Sequence, residues 1–166
     1  MLFLYDYAFE KVTDIPVVFF KSEQIKALVL DIDNTLTTHD NPQPADGVLQ
    51  WLEDVRNAGI KMLVVSNNKP HRVKPFADML KLEFVANGAK PLTKGINYAV
   101  KKMGAEKKYT AAFGDQIFTD VLGANFSGIR MIYVKPIEHE KTMFFKVKRF
   151  LEKPFLPKSF IKSDKH

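Results

Sequence analysis

The chain has 166 residues, 46% of them hydrophobic, 12% aromatic and 27% charged, which suits one globular domain and includes no apolar run near the roughly 18 to 20 residues a membrane span needs. It has no cysteine, so a disulfide framework, a thiolate nucleophile and a Cys-ligated zinc or iron–sulfur site are excluded, and any catalytic metal must rest on oxygen or imidazole. The net charge of +6 is uneven: residues 1–134 carry 16 basic against 15 acidic side chains, whereas residues 135–166 carry 9 against 4.

In chain order, the opening MLFLYDYAFEK lacks the basic, apolar and small-residue segments of a secretory signal, and a cytoplasmic location is expected. Tyr5, Tyr7, Phe9 and Val17 to Phe20 read as a short extension packed against the core. Lys26–Ile32 is an apolar run ending in carboxylates, and Ile60–Val65 ends in Ser66-Asn67-Asn68; both read as buried parallel strands. Leu82–Ala86, Tyr109–Phe113 and Ile129–Lys135 are three further candidates. Helical spacing fills the gaps. Val48, Leu52 and Val55 stop at Gly59, and Ile96, Ala99, Val100 and Met103 stop at Gly104. Pro70 can open a helix holding Val73, Phe76, Ala77 and Leu80, with Pro75 arguing for a kink or a late start. Phe118–Phe126 reads as a shorter helix. The alternation predicts an α/β fold: a parallel sheet of about five strands, helices on both faces, wound by right-handed crossovers. Composition shifts only near Pro136, dividing a domain over residues 1–134 from a basic, Phe-rich tail over 135–166.

In such a sheet ligands collect beyond the carboxyl ends of the strands. The polar residues there are Asp31, Asp33, Asn34 and Thr35, then Ser66, Asn67 and Asn68, then Lys90, then Asp115, Gln116, Thr119 and Asp120. Carboxylates gathered this closely repel unless a cation joins them, and all-oxygen ligands suit Mg²⁺. Asp-x-Asp alone is a weak signal. Taken singly, Ser66-Asn67 reads as a helix cap, and Lys90 and Asp120 read as surface charges. His39, His71, His139 and His166 show no ligand spacing; His71 and His166 read as surface groups, and His39 flanks the carboxylates.

The ordered set DIDNTL, VVSNN, Ala89-Lys90-Pro91 and GDQIFTDVLGAN resembles the haloacid dehalogenase (HAD) superfamily of aspartate-nucleophile phosphatases. Within it, the motifs resemble subfamily IIIA, the YqeG type, a branch related to phosphatidylglycerophosphate phosphatases. The resemblance implies a HAD-like Rossmannoid fold and a set of roles that chemistry supports. Asp31 is the expected nucleophile, forming an acyl phosphate. Asp33 is the expected general acid and base. Mg²⁺ is expected on the Asp31 carboxylate, the Asp33 backbone carbonyl and Asp115. Ser66 and the Asn67 amide are expected on the phosphoryl oxygens, with Lys90 neutralising their charge. Asp120 is expected to orient a metal-bound water or Lys90, and Thr35 to brace the loop behind the aspartates. The loop Thr37-Thr38-His39-Asp40-Asn41 departs from that branch, which more often carries an aliphatic residue, a Pro and a Trp there, so substrate choice is the property it puts in question.

Only 32 residues separate Asp33 from Ser66 and 23 separate Ser66 from Lys90, which leaves no room for an inserted cap domain. An open cleft favours a substrate that brings its own cover. At about 100° per residue, Met143, Phe144, Val147, Phe150 and Leu151 fall on one arc of a tail helix around Met143–Lys153. Lys141, Lys146, Lys148, Arg149 and Lys153 fall on the other, with Phe145 the apolar exception. That pattern fits an interfacial membrane helix; it equally fits a helix packed by its apolar face on the core, or a homodimer contact. The leading expectation is Mg²⁺-dependent hydrolysis of an anionic phospholipid, phosphatidylglycerophosphate to phosphatidylglycerol, by a protein peripheral on the inner face of the membrane, with the basic arc outside the chemistry. The alternatives are a phosphatase for a nucleic-acid end, a phosphoprotein or a sugar phosphate, and a non-catalytic binding protein on the same fold.

Overall fold

A computed structural model of the chain describes residues 2–39 and 41–162; Asp40 and His166, named above, lie outside them. Six strands, β1 (Tyr7–Phe9), β2 (Ala27–Leu30), β3 (Lys61–Val65), β4 (Phe84–Val85), β5 (Thr110–Gly114) and β6 (Arg130–Val134), form one parallel sheet in the order β1-β6-β5-β2-β3-β4. The helices are α1 (Val17–Ser22), α2 (Val48–Asn57), α3 (Pro70–Met79), α4 (Lys94–Lys102), α5 (Leu122–Ser127) and α6 (Met143–Glu152).

The strands are apolar on both faces because both faces are covered. Leu28, Leu30, Val64, Phe113, Ile132 and Val134 share one core with residues of α1, α2 and α3. Their neighbours Val29, Leu63, Val65, Ala112, Met131 and Tyr133 share the other with α4 and α5. Successive residues thus enter opposite layers, as the two-residue period of a strand requires.

The sheet has one strand more than the sequence reading. Tyr7–Phe9 pairs with Ile132–Val134, so this part of the N-terminal extension joins the sheet edge. Three residues are too few to show alternation, and edge pairing is a backbone property that side chains do not announce. Two helices also differ in detail. α3 starts at Pro70, whose missing N–H costs nothing in a first turn, and runs on through Pro75. The helix expected over Phe118–Phe126 is a π-helical turn, Ile117–Val121, followed by α5.

β2 is central. The chain leaves it toward β3 and β4 on one side, then returns to β5 and β6 on the other, so the crevice opens at the carboxyl end of β2. Within the described residues, one loop and α2 link β2 to β3, and α3 links β3 to β4; no inserted domain covers the crevice. The segment after β6 returns to its rim, and α6 lies across it. Beyond α6 the chain turns back, with Phe155 stacked on Phe3 at 4.4 Å and the Ile161 N–H donating to the Ala8 carbonyl at 2.8 Å. No helix among the described residues is long and apolar enough to cross a membrane.

Candidate active site

Asp31 follows β2 directly, and its N–H donates to the Phe113 carbonyl of β5 at 3.3 Å, which fixes the start of the loop. Asn34 holds the next turn in the left-handed region, at φ 59°, a conformation Asn tolerates. Its side chain is tied to the segment after β6: Nδ2 donates to Glu140 Oε1 at 3.2 Å, and Oδ1 accepts the Glu138 N–H at 3.2 Å. The Thr35 hydroxyl is buried without a partner among the described residues. The expected bracing of this loop therefore comes from Asn34, and from Thr37, whose hydroxyl donates to the Gln43 carbonyl at 2.5 Å.

The Lys90 ammonium is buried between two carboxylates, 2.8 Å from Asp31 Oδ1 and 2.6 Å from Asp120 Oδ1. Burial works against its charge, but Asp120 and Asp31 outweigh that and hold its pKa above the ordinary lysine value. The Asn67 side chain clamps the Lys90 backbone, accepting its N–H at 2.7 Å and donating to its carbonyl at 2.9 Å. What Asn67 has left for a bound anion is its backbone N–H. Ser66 is buried at the end of β3, and its hydroxyl accepts the Asn68 N–H at 3.1 Å.

Asp33 turns the other way. Arg72 of α3 donates to its Oδ1 at 2.9 Å, the Asn68 side chain donates to its Oδ2, and Arg72 also reaches the His39 carbonyl at 3.1 Å. Its carboxylate is thus held apart from the cluster that Asp31, Asp115 and Asp120 form.

Asp31, Asp115 and Asp120 each offer an oxygen, all within 4.8 Å of one another. Both Asp120 oxygens are engaged, Oδ1 by Lys90 and Oδ2 by the Gln116 N–H at 3.1 Å, which suits a residue that orients Lys90. Gly114 permits this approach, since a Cβ there would stand 2.2 Å from Asp120 Cγ. Asp115 Oδ1 is buried with no partner among the described residues. Burial, with Asp120 beside it, pushes Asp31 up to about 7 despite Lys90; burial likewise pushes Asp115 up to about 8 despite Arg149. Among the described residues, three buried carboxylates are faced by Lys90 and Arg149 alone and so lack positive charge, and one oxygen has no partner. A hard divalent cation fits both shortfalls.

Arg149 is the site residue that sequence reasoning misplaced. Its Nη1 donates to the Asp115 carbonyl at 2.7 Å and its Nη2 to the Asp115 carboxylate. The same guanidinium meets Glu140 at 2.9 Å and Glu152 at 3.1 Å, and His39 Nε2 lies 3.0 Å from Glu140. Burial disfavours the Glu140 charge, but Arg149 and His39 hold its pKa below the usual carboxylate range. Lys148 donates to the Gln116 side chain beside it. Two residues of the basic arc, Lys148 and Arg149, thus face the site, contrary to the expectation that the arc lies outside the chemistry, while Lys146 and Lys153 stay exposed. Phe145, Arg149 and Glu152 stand at i, i+4 and i+7, a spacing that puts them on one stripe without telling whether that stripe is buried. Arg72 gave no comparable signal.

These residues enclose a cleft of about 640 Å³ that reaches from Asp31, Ser66 and Lys90 to His71, His139, Lys141, Phe144, Phe145 and Lys148. His39 and His71 both line it, so His71 is a rim residue as well as an exposed one. No cap domain covers the cleft among the described residues, but the segment after β6 supplies one wall.

The chain is similar to known proteins in three respects. The haloacid dehalogenase-like hydrolase family matches residues 37–128, a span that holds Ser66, Lys90, Asp115 and Asp120. A protein of Bacillus subtilis named "Probable phosphatase YqeG" is 35% identical over 136 residues, covering 82% of this chain and 79% of that protein. Two solved structures share the fold at 17% identity each, covering 80% of this chain. They are the cobalt-bound deoxy-D-mannose-octulosonate 8-phosphate phosphatase of Haemophilus influenzae, with a TM-score of 0.56 over 90% of its chain, and the corresponding 3-deoxy-D-manno-octulosonate 8-phosphate phosphatase of Moraxella catarrhalis, with 0.53 over 88%, which holds a magnesium ion, a phosphate ion and a KDO molecule.

Proposed function

We propose, for a chain that belongs to the haloacid dehalogenase-like hydrolases and is a phosphatase of that type, that it hydrolyses the phosphomonoester of an anionic lipid headgroup, phosphatidylglycerophosphate, to give phosphatidylglycerol. The observation that carries the lipid class is the cleft wall. Lys141 and Lys148 stand there beside Phe144 and Phe145, a surface suited to a ligand with phosphates at one end and acyl chains at the other. The particular lipid comes from the likeness of the motifs to subfamily IIIA.

In this reading Asp31 attacks phosphorus with the carboxylate that Lys90 contacts, and the phosphoryl group passes to it as an aspartyl phosphate. Asp33, oriented by Arg72 and Asn68, protonates the departing alkoxide. It then takes a proton from the water that hydrolyses the acyl phosphate. Ser66 and the Asn67 backbone N–H hydrogen-bond the phosphoryl oxygens, and Lys90, held by Asp120 and by the Asn67 side chain, balances their charge. Asp31, Asp115 and the Asp33 carbonyl would hold Mg²⁺, with Asp115 aimed by Arg149. The ion, when bound, supplies positive charge to the phosphoryl oxygens and draws the carboxylates together.

The test is phosphate release in Mg²⁺ from a panel of phosphatidylglycerophosphate, phosphatidic acid, sugar phosphates, nucleotides and phosphopeptides, with Asp31→Asn as the blank. The expected result is the highest kcat/KM on phosphatidylglycerophosphate. A sugar phosphate, nucleotide or phosphopeptide turned over more efficiently would overturn the lipid reading and leave the phosphatase assignment standing.

A further inference from the structure

Helix α6 is seated by its charged side. Arg149, Glu152 and Lys148 are engaged at the catalytic crevice, and Glu152 is fully buried, its Oε1 accepting the Phe118 N–H at 3.2 Å. The apolar arc is left outward: Met143 and Phe144 are each 74% exposed, Phe150 65%, Leu151 55% and Val147 51%. An amphipathic helix in a globular protein ordinarily shows the reverse arrangement.

The charge around that surface is mostly positive, with Glu138 the exposed carboxylate that shares a groove with Lys146, Phe150 and Lys153. From Lys141 to Lys162 the only carboxylate is Glu152, which is buried, while Lys141, Lys146, Lys153, Lys158 and Lys162 are exposed. Self-pairing of the patch about a twofold axis would bring lysines against lysines, so a second copy of the chain is a poor occupant. An apolar stripe flanked mostly by cations instead matches an anionic bilayer, whose acyl region takes the aromatic and aliphatic side chains while its headgroups take the lysines.

We infer that the outward face of α6, with Val147 and Phe150 at its centre, docks the protein on anionic membrane surfaces. Phe144 belongs both to this face and to the cleft lining, so docking brings the mouth of the catalytic crevice to the bilayer. The docking stands on the helix face; only its use in catalysis rests on the lipid-phosphatase reading.

The experiment is co-sedimentation of the full chain with vesicles of phosphatidylcholine alone and of phosphatidylcholine with phosphatidylserine, neither of which carries a phosphomonoester. The wild type is expected to bind the anionic vesicles at least tenfold more tightly than the neutral ones. Val147→Glu with Phe150→Glu is expected to lose at least tenfold of that binding, and Lys146→Gln with Lys153→Gln to lose the preference for anionic lipid. Both pairs should keep hydrolysis of a soluble aryl phosphate within twofold of wild type, which reports an intact fold and site. Absence of wild-type binding, or equal binding by the Val147/Phe150 variant, overturns the inference. So does a wild-type dimer in solution that the same variant dissociates, since the face would then be covered by another copy. Turnover of phosphatidylglycerophosphate in detergent micelles separates the two claims: activity there without vesicle binding sinks the docking alone, and vesicle binding without such activity sinks the substrate alone.

Discussion

Arg149 of α6 grips Asp115 at the end of β5 by two N–H groups, one on the backbone carbonyl at 2.7 Å and one on the carboxylate. Thirty-four residues apart in sequence, the two are joined in a network that also takes in Glu140 and Glu152. The position of a proposed metal ligand therefore depends on the C-terminal helix.

Arg149→Gln is accordingly expected to lower hydrolysis of a soluble aryl phosphate at least tenfold and to raise the Mg²⁺ concentration for half-maximal rate. It should also cost about 3 kcal/mol of stability, because it leaves buried carboxylates without their cation. Arg149→Lys should not rescue, since an ammonium cannot reproduce the two-point contact. Steady-state kinetics over a Mg²⁺ titration check this, and wild-type Mg²⁺ dependence in both variants would sever the proposed link.

Asp31→Asn should abolish turnover, by at least about 10³-fold, while the fold survives, because the amide keeps the shape but cannot act as nucleophile. Fluoroberyllate trapping of the wild type should place the adduct on Asp31. An adduct on any other carboxylate would refute the assignment.

The pH dependence of the metal-free protein follows from Asp31 at about 7 and Asp115 at about 8, both raised from 3.8. The folded protein keeps these protons while the unfolded chain has already released them above about pH 4. The unfolded state then binds fewer protons, so these groups lower stability as pH rises from about 4 to 8 and add no further change beyond. Mg²⁺ binds the deprotonated cluster, and its stabilisation should grow over the same range. Thermal melts in chelator and in Mg²⁺ at pH 5 and pH 8 test both signs. A Mg²⁺-induced rise in Tm that is larger at pH 5 would contradict the cluster as the metal site.

Gly114→Ala should act on the site from the core. The added methyl would stand 2.2 Å from Asp120 Cγ, so Asp120 must leave Lys90 or the strand must shift. Overpacking of this kind costs about 1 to 3 kcal/mol. A fall in kcat with little change in KM is expected, since Lys90 loses its positioning partner. A crystal structure of the variant with Asp120 still on Lys90 would rule this out.

What the sequence determined by itself was the frame and the chemistry on it. Apolar runs ending in carboxylates, hydroxyl or ammonium located five of the six strands, and the crevice beyond their ends follows from parallel topology. Asp31, Ser66 and Asp115 were legible because each directly follows a strand, where local pattern and three-dimensional position coincide, whereas Lys90, five residues past β4, was legible only through the ordered motif set. Two things were decided only in the folded chain. One was the pairing of Tyr7–Phe9 as an edge strand, which rests on backbone hydrogen bonds. The other was the facing of α6. A helical wheel separates an apolar from a charged arc but carries no preference for which is buried, and the usual answer puts the apolar arc inside. Here three carboxylates meet at one end of the sheet with Lys90 and still lack positive charge, and Arg149 enters to supply it. That requirement arises from residues distant in sequence and close in space, so it exists only once the sheet has assembled, and it turns Phe144, Val147 and Phe150 outward.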